Sequence, residues 1–346
     1  VAPIRLAPDT RPDVWRGGLA WTREGGAWQP WRLPPGRIAT AHAPGLVTRA
    51  RMPAGVRAVV RTDASALELR THAAGDDVTS LDVVVDGALW RRTALTAGAG
   101  VAASRVALPP GAKVVEVWLP QFGEVRTGPL VLHGATYAAA VDEGIRWIAY
   151  GSSITQCRSA AGPSETWPAL VARRLGWDLT CLGFAGECHL DPVAAGAIAR
   201  RPAEVISLCL GINVYGAASF GPRTFAGQVS GFVQAVRDAH PRAPIAVLTP
   251  IVSPDRERLP NQATMTLDDV RRAVADAVTA LRRRGDTGLH LIDGPSVLGA
   301  GDAHLLLPDG LHPDAAGYRL MAARLAPRLA GLRPAPPRVD SPDKPV

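Results

Sequence analysis

Arg146-Trp147-Ile148-Ala149-Tyr150-Gly151-Ser152-Ser153-Ile154-Thr155 is the stretch that decides how the chain folds. Its first half is a short apolar run, and it stops at a glycine followed by two serines. A buried strand that turns straight into a helix has this form. The rhythm continues downstream. Strand-like runs at 178–182, 204–210, 244–249 and 289–293 alternate with helical patterns at 165–175, 224–239, 267–284 and 314–329. Ser164 is the expected N-cap of the first of these helices, with Pro168 in its first turn, where no backbone donor is needed. Strands alternating with helices of this length predict an α/β, doubly wound parallel sheet with ligands at the C-terminal ends of its strands.

Upstream of residue 138 the pattern is different. The segments 57–70, 80–91 and 113–119 alternate or cluster β-branched residues, and Asp86-Gly87 is a hairpin signal. Pro109-Pro110-Gly111 and 98–100 read as loops. No helical period lasts beyond two turns, so residues 1–138 are expected to form an all-β, jelly-roll-like sandwich. A linker of small residues at 139–145 leads into the α/β domain at 146–332, and a Pro-rich tail at 333–346, expected to fray, closes the chain. There is no internal repeat.

Composition narrows the function classes. The 346 residues hold 38 basic and 31 acidic side chains, a net charge of +7, and 47% are hydrophobic. That apolar fraction excludes disorder. No window approaches 18 uncharged apolar residues, so no membrane-spanning helix is expected. Only two of the basic residues are lysine, and Arg and Asp alternate along the chain without a basic stripe interleaved with aromatics, which argues against nucleic-acid binding. Cys157, Cys181, Cys188 and Cys209 lie at spacings unlike a zinc or redox motif and read as reduced, partly buried thiols, a Cys181–Cys188 disulfide being the alternative. The N-terminal Val-Ala-Pro-Ile-Arg-Leu lacks the regions of a signal peptide. With the unpatterned cysteines this favours the cytoplasm, whereas a leader removed before Val1 would make the protein secreted.

Four segments bear groups capable of chemistry, three at ends of expected strands and one before the last helix. Ser153 in Gly151-Ser152-Ser153 can expose its hydroxyl at a strand-to-helix turn, although serines there also serve as caps. Gly186 in Phe184-Ala185-Gly186-Glu187 would let a backbone N–H approach a ligand, or simply make a turn. Asn213 in Gly211-Ile212-Asn213 offers an amide donor to an oxyanion. In Asp309-Gly310-Leu311-His312, a carboxylate three residues before an imidazole can orient the ring and stabilise the imidazolium formed in general-base catalysis. Each motif taken singly is weak.

Their order and placement together resemble the SGNH superfamily of serine hydrolases, which includes the GDSL esterases and lipases. The family's first block matches Gly151-Ser152-Ser153-Ile154, its second-block glycine Gly186, its third block Gly211-Ile212-Asn213 and its fifth block Asp309 to His312, over residues 146–330. The resemblance implies Ser153 as nucleophile and His312 as base with Asp309 orienting it. The Ser153 and Gly186 N–H groups and the Asn213 amide would bind the oxyanion. Neither metal nor organic cofactor is expected. There are departures: the first-block Asp is Ser152, the Asp after the third-block Asn is Val214, and the Asn two residues before Gly183 is Cys181. They touch loop support rather than the reacting groups. Ser152, Glu187, His189, Val214 and Tyr215 are the candidate substrate contacts, while His304 reads as a surface residue.

The expected reaction is acyl transfer through an acyl-enzyme, foremost as ester hydrolysis by an esterase or deacetylase acting on a small-molecule ester. If an alcohol replaces water, the enzyme is an acyltransferase, as a resemblance to two-domain GDSL enzymes of actinobacterial secondary metabolism allows. A third reading, from another class, is a carbohydrate-binding protein with a vestigial site, because Trp15, Trp21, Trp28 and Trp31 crowd the sandwich and sugars stack on exposed aromatics. Against it stands the expectation that large aromatics are mostly buried. The sequence does not speak to oligomeric state.

Overall fold

The computed structural model describes residues 2–75, 77–98 and 100–332, so the Pro-rich tail lies outside the described residues. Among them, the N-terminal part builds two six-stranded antiparallel sheets. One orders Ala20–Glu24, Ala27–Trp31, Glu124–His133, Ala66–Ala74 and Val101–Ala107, with Ile4–Leu6 also paired to Glu124–His133. The other orders Ala138–Ala139, Arg57–Thr62, Lys113–Trp118, Leu81–Val85 and Ala88–Thr93, with Trp15–Arg16 beside Arg57–Thr62. Period-2 alternation sends Leu67, Leu69, Leu130 and Leu132 of one sheet and Val60, Val83, Val115 and Val117 of the other into one buried cluster.

Local chemistry explains where this half departs from expectation. The β-patterned segment 57–70 is two strands, Arg57–Thr62 and Ala66–Ala74, in different sheets. The turn between them is held by Asp63, which accepts hydrogen bonds from both the amide and the hydroxyl of Thr136. The Asp86-Gly87 hairpin forms as expected, with φ of 47° and 79° at its two central residues. A 3-10 turn at Pro35–Thr40 and a short helix at Pro44–Ala50 interrupt the strands, and both are too brief to leave a period in the sequence.

The tryptophans are structural. Trp15, Trp28 and Trp31 are buried, and Trp21 packs edge-on against Trp15 at 5.2 Å. Trp31 belongs to the core of the other domain. Trp15, Trp28 and Trp31 are too buried to offer the open face that a sugar platform needs.

The second half is a parallel sheet of β1 (Arg146–Gly151), β2 (Asp178–Gly183), β3 (Val205–Cys209), β4 (Ile245–Leu248) and β5 (Leu289–Ile292), ordered β2-β1-β3-β4-β5. The order reverses between β1 and β3, which opens a crevice at their C-terminal ends. Helix Trp167–Leu175 packs with Ala315–Ala330, and Pro192–Arg200, Phe225–Ala239 and Leu267–Arg283 pack in series. The helix at Pro192–Arg200 escaped the sequence reading, as did the single turns Ser153–Gln156 and Ile212–Ala217. All four cysteines are free thiols, so the Cys181–Cys188 disulfide does not form. Burial pushes the Cys209 thiol up to about 12.

The two halves share a core. Trp31, Leu33, Leu46 and Trp118 of the sandwich are buried together with the sheet and helices of the α/β domain. The expected cap Ser164 sits instead in a 3-10 turn. Thr166 caps the helix by accepting from the Ala169 amide, while the Ser164 hydroxyl and amide both donate to Asp82. Asp82 is fully buried and also receives two hydrogen bonds from Arg92, whose guanidinium reaches on to Glu165. Asp82→Ala strands these donors at the interface and is expected to destabilise the whole chain by about 3 kcal/mol. Denaturant unfolding measures this, with both halves losing stability together.

β2 is an edge strand, paired only to β1. Its outward carbonyls at Leu179, Cys181 and Gly183 point at the sandwich, which covers them with two arginines. Arg57 donates to Leu179 at 3.0 Å and pairs with Asp178 at 2.6 Å, while Arg32 donates to Cys181 and Gly183. A buried edge strand needs such donors because its carbonyls have no ladder partner.

Candidate active site

The β1 strand ends at Gly151, and the chain turns at once into the helical turn Ser153–Gln156. Ser152 has an extended backbone and caps the turn, its hydroxyl accepting from the Ile154 amide at 3.2 Å. Ser153 therefore begins the helix, where the backbone N–H has no partner within the helix. Its side chain is partly exposed, unlike that of Ser152.

Ser153 Oγ lies 2.8 Å from His312 Nε2, and His312 Nδ1 lies 2.6 Å from Asp309 Oδ2. The other carboxylate oxygen of Asp309 accepts from the Leu311 and His312 amides at 2.9 and 3.0 Å. Burial raises the Asp309 carboxyl, but these three donors outweigh it and hold the group below its ordinary range, so it is an anion at neutral pH. Asp302 does not compete for the ring, since it pairs with Arg324. His304 is exposed.

The loop carrying Asp309 and His312 is braced from the segment after β4. Ser253 Oγ donates to the Gly310 carbonyl at 2.7 Å, and Arg256 donates to the Asp309 carbonyl at 3.1 Å. Glu257 accepts from the Ser253 amide and pairs with Arg271, which also holds the Pro250 and Ile251 carbonyls. Sequence reasoning missed this support, and no local spacing announces it: the partners are up to 57 residues apart.

Facing Ser153 across the turn is the loop after β2. A Cβ at Gly183 would collide with the Gln156 backbone nitrogen, so only glycine lets the β2 loop close on the serine turn. The Phe184 amide then donates to the Gly151 carbonyl at 2.8 Å, Ala185 takes a positive φ of 48°, and Gly186 follows, exposed. Asn213 sits in the turn after β3, entered through Gly211 at φ 116°. Its Oδ1 accepts from the Cys188 amide at 3.1 Å, which leaves its Nδ2 as the donating end.

The remaining candidates divide. His189 is placed between the Ser219 hydroxyl at 2.9 Å and the Gly186 carbonyl at 3.0 Å, a buttress of the Gly186 peptide. Glu187 sets its carboxylate against Gly45 in the first turn of the Pro44–Ala50 helix. Ser152 is occupied as a cap. Val214 is wholly buried in the core, and Tyr215 is buried with its hydroxyl donating to the Leu259 carbonyl at 2.9 Å. The short helix after Gly211 is the reason: it turns Val214 and Tyr215 inward while Asn213 stays partly exposed. From the sandwich, Met52 and Phe122 form a small apolar cluster with Ala185. Among the described residues no group of three or more His, Cys, Asp or Glu side chains could hold a metal ion, and no helix is long and apolar enough to cross a membrane.

Residues 149–320 match the model of the GDSL-like Lipase/Acylhydrolase family, and residues 14–126 match that of the SsfX3 N-terminal domain. Among solved structures, the salicylyl-acyltransferase SsfX3 from a tetracycline biosynthetic pathway is 35% identical, with 95% of this chain and 97% of that chain covered and a TM-score of 0.86. A protein described as a GDSL-like lipase from Bacteroides ovatus is 18% identical over 95% of this chain and 97% of its own, at a TM-score of 0.76. A family two carbohydrate esterase from Clostridium thermocellum, also 18% identical, covers 80% of this chain and 92% of its own at 0.64. The last two share the fold. No curated protein sequence matches the chain. With a relative at this identity spanning both domains, and the Ser153 turn inside the matched region, the chain belongs to the GDSL-like lipase/acylhydrolase family.

Proposed function

We propose that the protein is a serine acyltransferase that moves an acyl group from an activated ester to the hydroxyl of a small acceptor, with hydrolysis as the competing outcome when water takes the acceptor's place. Ester hydrolysis and acyl transfer both fit this fold and use the same groups. The observation that carries the choice is the 35% identity to salicylyl-acyltransferase SsfX3 at a TM-score of 0.86, together with the match of the sandwich to the SsfX3 N-terminal domain.

In this reading Ser153 Oγ attacks the acyl carbonyl carbon while its proton passes to His312 Nε2, 2.8 Å away. The tetrahedral oxyanion is held by the N–H groups of Ser153 and Gly186 and by Asn213 Nδ2. The adduct collapses by breaking the bond to the leaving group, which takes the proton from His312, and an ester on Ser153 remains. The acceptor hydroxyl then gives its proton to His312 and attacks that ester. A second collapse releases the product as His312 returns the proton to Ser153 Oγ. Asp309 holds the Nδ1 proton of His312 throughout and stabilises the imidazolium of each step.

The test supplies a salicylyl ester with a panel of phenolic, sugar and simple alcohol acceptors and measures transferred ester against free acid. Transfer that exceeds free acid for at least one acceptor is the expected result. Free acid alone across the panel, with turnover intact, overturns the transferase reading in favour of an esterase.

A further inference from the structure

Arg32 is a residue of the sandwich, between Trp31 and Leu33, and its side chain is fully buried. Its cation has no carboxylate partner among the described residues. Instead the guanidinium donates to four backbone carbonyls. Two belong to its own domain, Arg49 and Met52, and two to the end of β2, Cys181 and Gly183. Its plane lies over the Phe184 ring at 4.9 Å. Burial lowers the group to about 10, which leaves it charged at neutral pH.

Those contacts fall on Cys181, Gly183 and Phe184, and Ala185 alone separates Phe184 from Gly186. Gly183 ends the strand, Phe184 begins the loop, and Ala185 supplies the strained positive φ that turns the Gly186 peptide outward. The resemblance implies an asparagine where this chain has Cys181, whose thiol turns to the Thr155 carbonyl at 3.7 Å. We infer that Arg32 is a positioning residue for the oxyanion loop: from the neighbouring domain it fixes the carbonyls of Cys181 and Gly183 and the ring of Phe184, and thereby the direction of the Gly186 N–H. The accessory domain thus contributes to transition-state binding without touching substrate. The inference rests on the proposed role of Gly186.

Arg57 is the natural control. It is equally buried, comes from the same domain and grips the same strand, but at Asp178 and Leu179, the end remote from the site. The experiment compares Arg32→Met, Arg57→Met and the parent enzyme. It measures kcat and KM on a p-nitrophenyl ester, melting temperature, and inhibition by a boronic acid, which forms a tetrahedral anion on the serine. Arg32→Met is expected to lower kcat about 100-fold and to weaken boronate inhibition by a similar factor, with KM nearly unchanged, since a donor moved by about 1 Å loses stabilisation only where charge develops. Arg57→Met is expected to lose melting temperature while keeping kcat. Equal kcat loss in the two variants, or full kcat and boronate affinity in Arg32→Met, overturns the proposal.

If Arg32→Met does not fold, Arg32→Lys provides the same readouts. A single ammonium cannot reproduce the planar fork. Reduced kcat at constant KM supports the inference, and parental kcat overturns it. Fluorophosphonate labelling of Ser153 in the parent is scored separately. An unlabelled parent refutes the serine mechanism itself, whereas a labelled parent with an unimpaired Arg32 variant refutes only the role of Arg32.

Discussion

Ser153→Ala is expected to fold like the parent and to lose roughly 10⁵–10⁶ of its turnover, the loss typical of removing the nucleophile from a unit that acts as one. The geometry says why the neighbouring serine cannot substitute. The Ser152 hydroxyl is buried and engaged as the acceptor for the Ile154 amide, whereas the Ser153 hydroxyl reaches His312. Turnover of a p-nitrophenyl ester, with mass spectrometry of the fluorophosphonate-labelled parent, checks both halves of the statement. A label on Ser152, or a Ser153→Ala variant within tenfold of the parent, would move the nucleophile elsewhere. His312→Ala belongs to the same experiment and should be equally inactive.

Asp309→Asn should lower kcat by a factor approaching 10⁴, as occurs when a triad carboxylate becomes an amide. Asp309 has two tasks. One oxygen closes its own loop by accepting two backbone amides, and the other accepts the His312 Nδ1 proton at 2.6 Å. An asparagine keeps the first task with its carbonyl but turns an N–H₂ towards Nδ1. The ring then adopts the tautomer with its proton on Nε2, which cannot accept from Ser153. The fold should be retained, so unchanged melting with a collapsed kcat is the pattern to look for. A loss below tenfold would mean that His312 is oriented by the backbone around it and not by the carboxylate.

How much of this was legible beforehand follows from the range of the interactions involved. The parallel sheet could be read because each strand and long helix carries its own period within a dozen residues. The corner within the β-patterned segment 57–70 was not legible, since the partner that fixes Asp63 there, Thr136, lies far along the chain. Ser153, Gly186, Asn213 and the Asp309–His312 pair were individually ordinary and became informative as an ordered set. The inward facing of Val214 and Tyr215 was not legible because a helical turn too short to leave a period decides it. Nothing in the sequence pointed to Arg32, whose partners at Cys181 and Gly183 lie 149 and 151 residues away. A charged residue flanked by Trp31 and Leu33 was the only local trace.

The covered edge of β2 also bears on how such proteins can diversify. A catalytic α/β half separated from its sandwich would present the row of carbonyls at Leu179, Cys181 and Gly183, together with the apolar surface that Trp31 and Trp118 now cover. An open parallel edge of this kind is a template for joining strands from other molecules. The sandwich is therefore not a module that recombination can trade freely. An exchanged domain would have to bring guanidiniums at the positions of Arg32 and Arg57, so the two halves are expected to be inherited, and re-engineered, as a single unit.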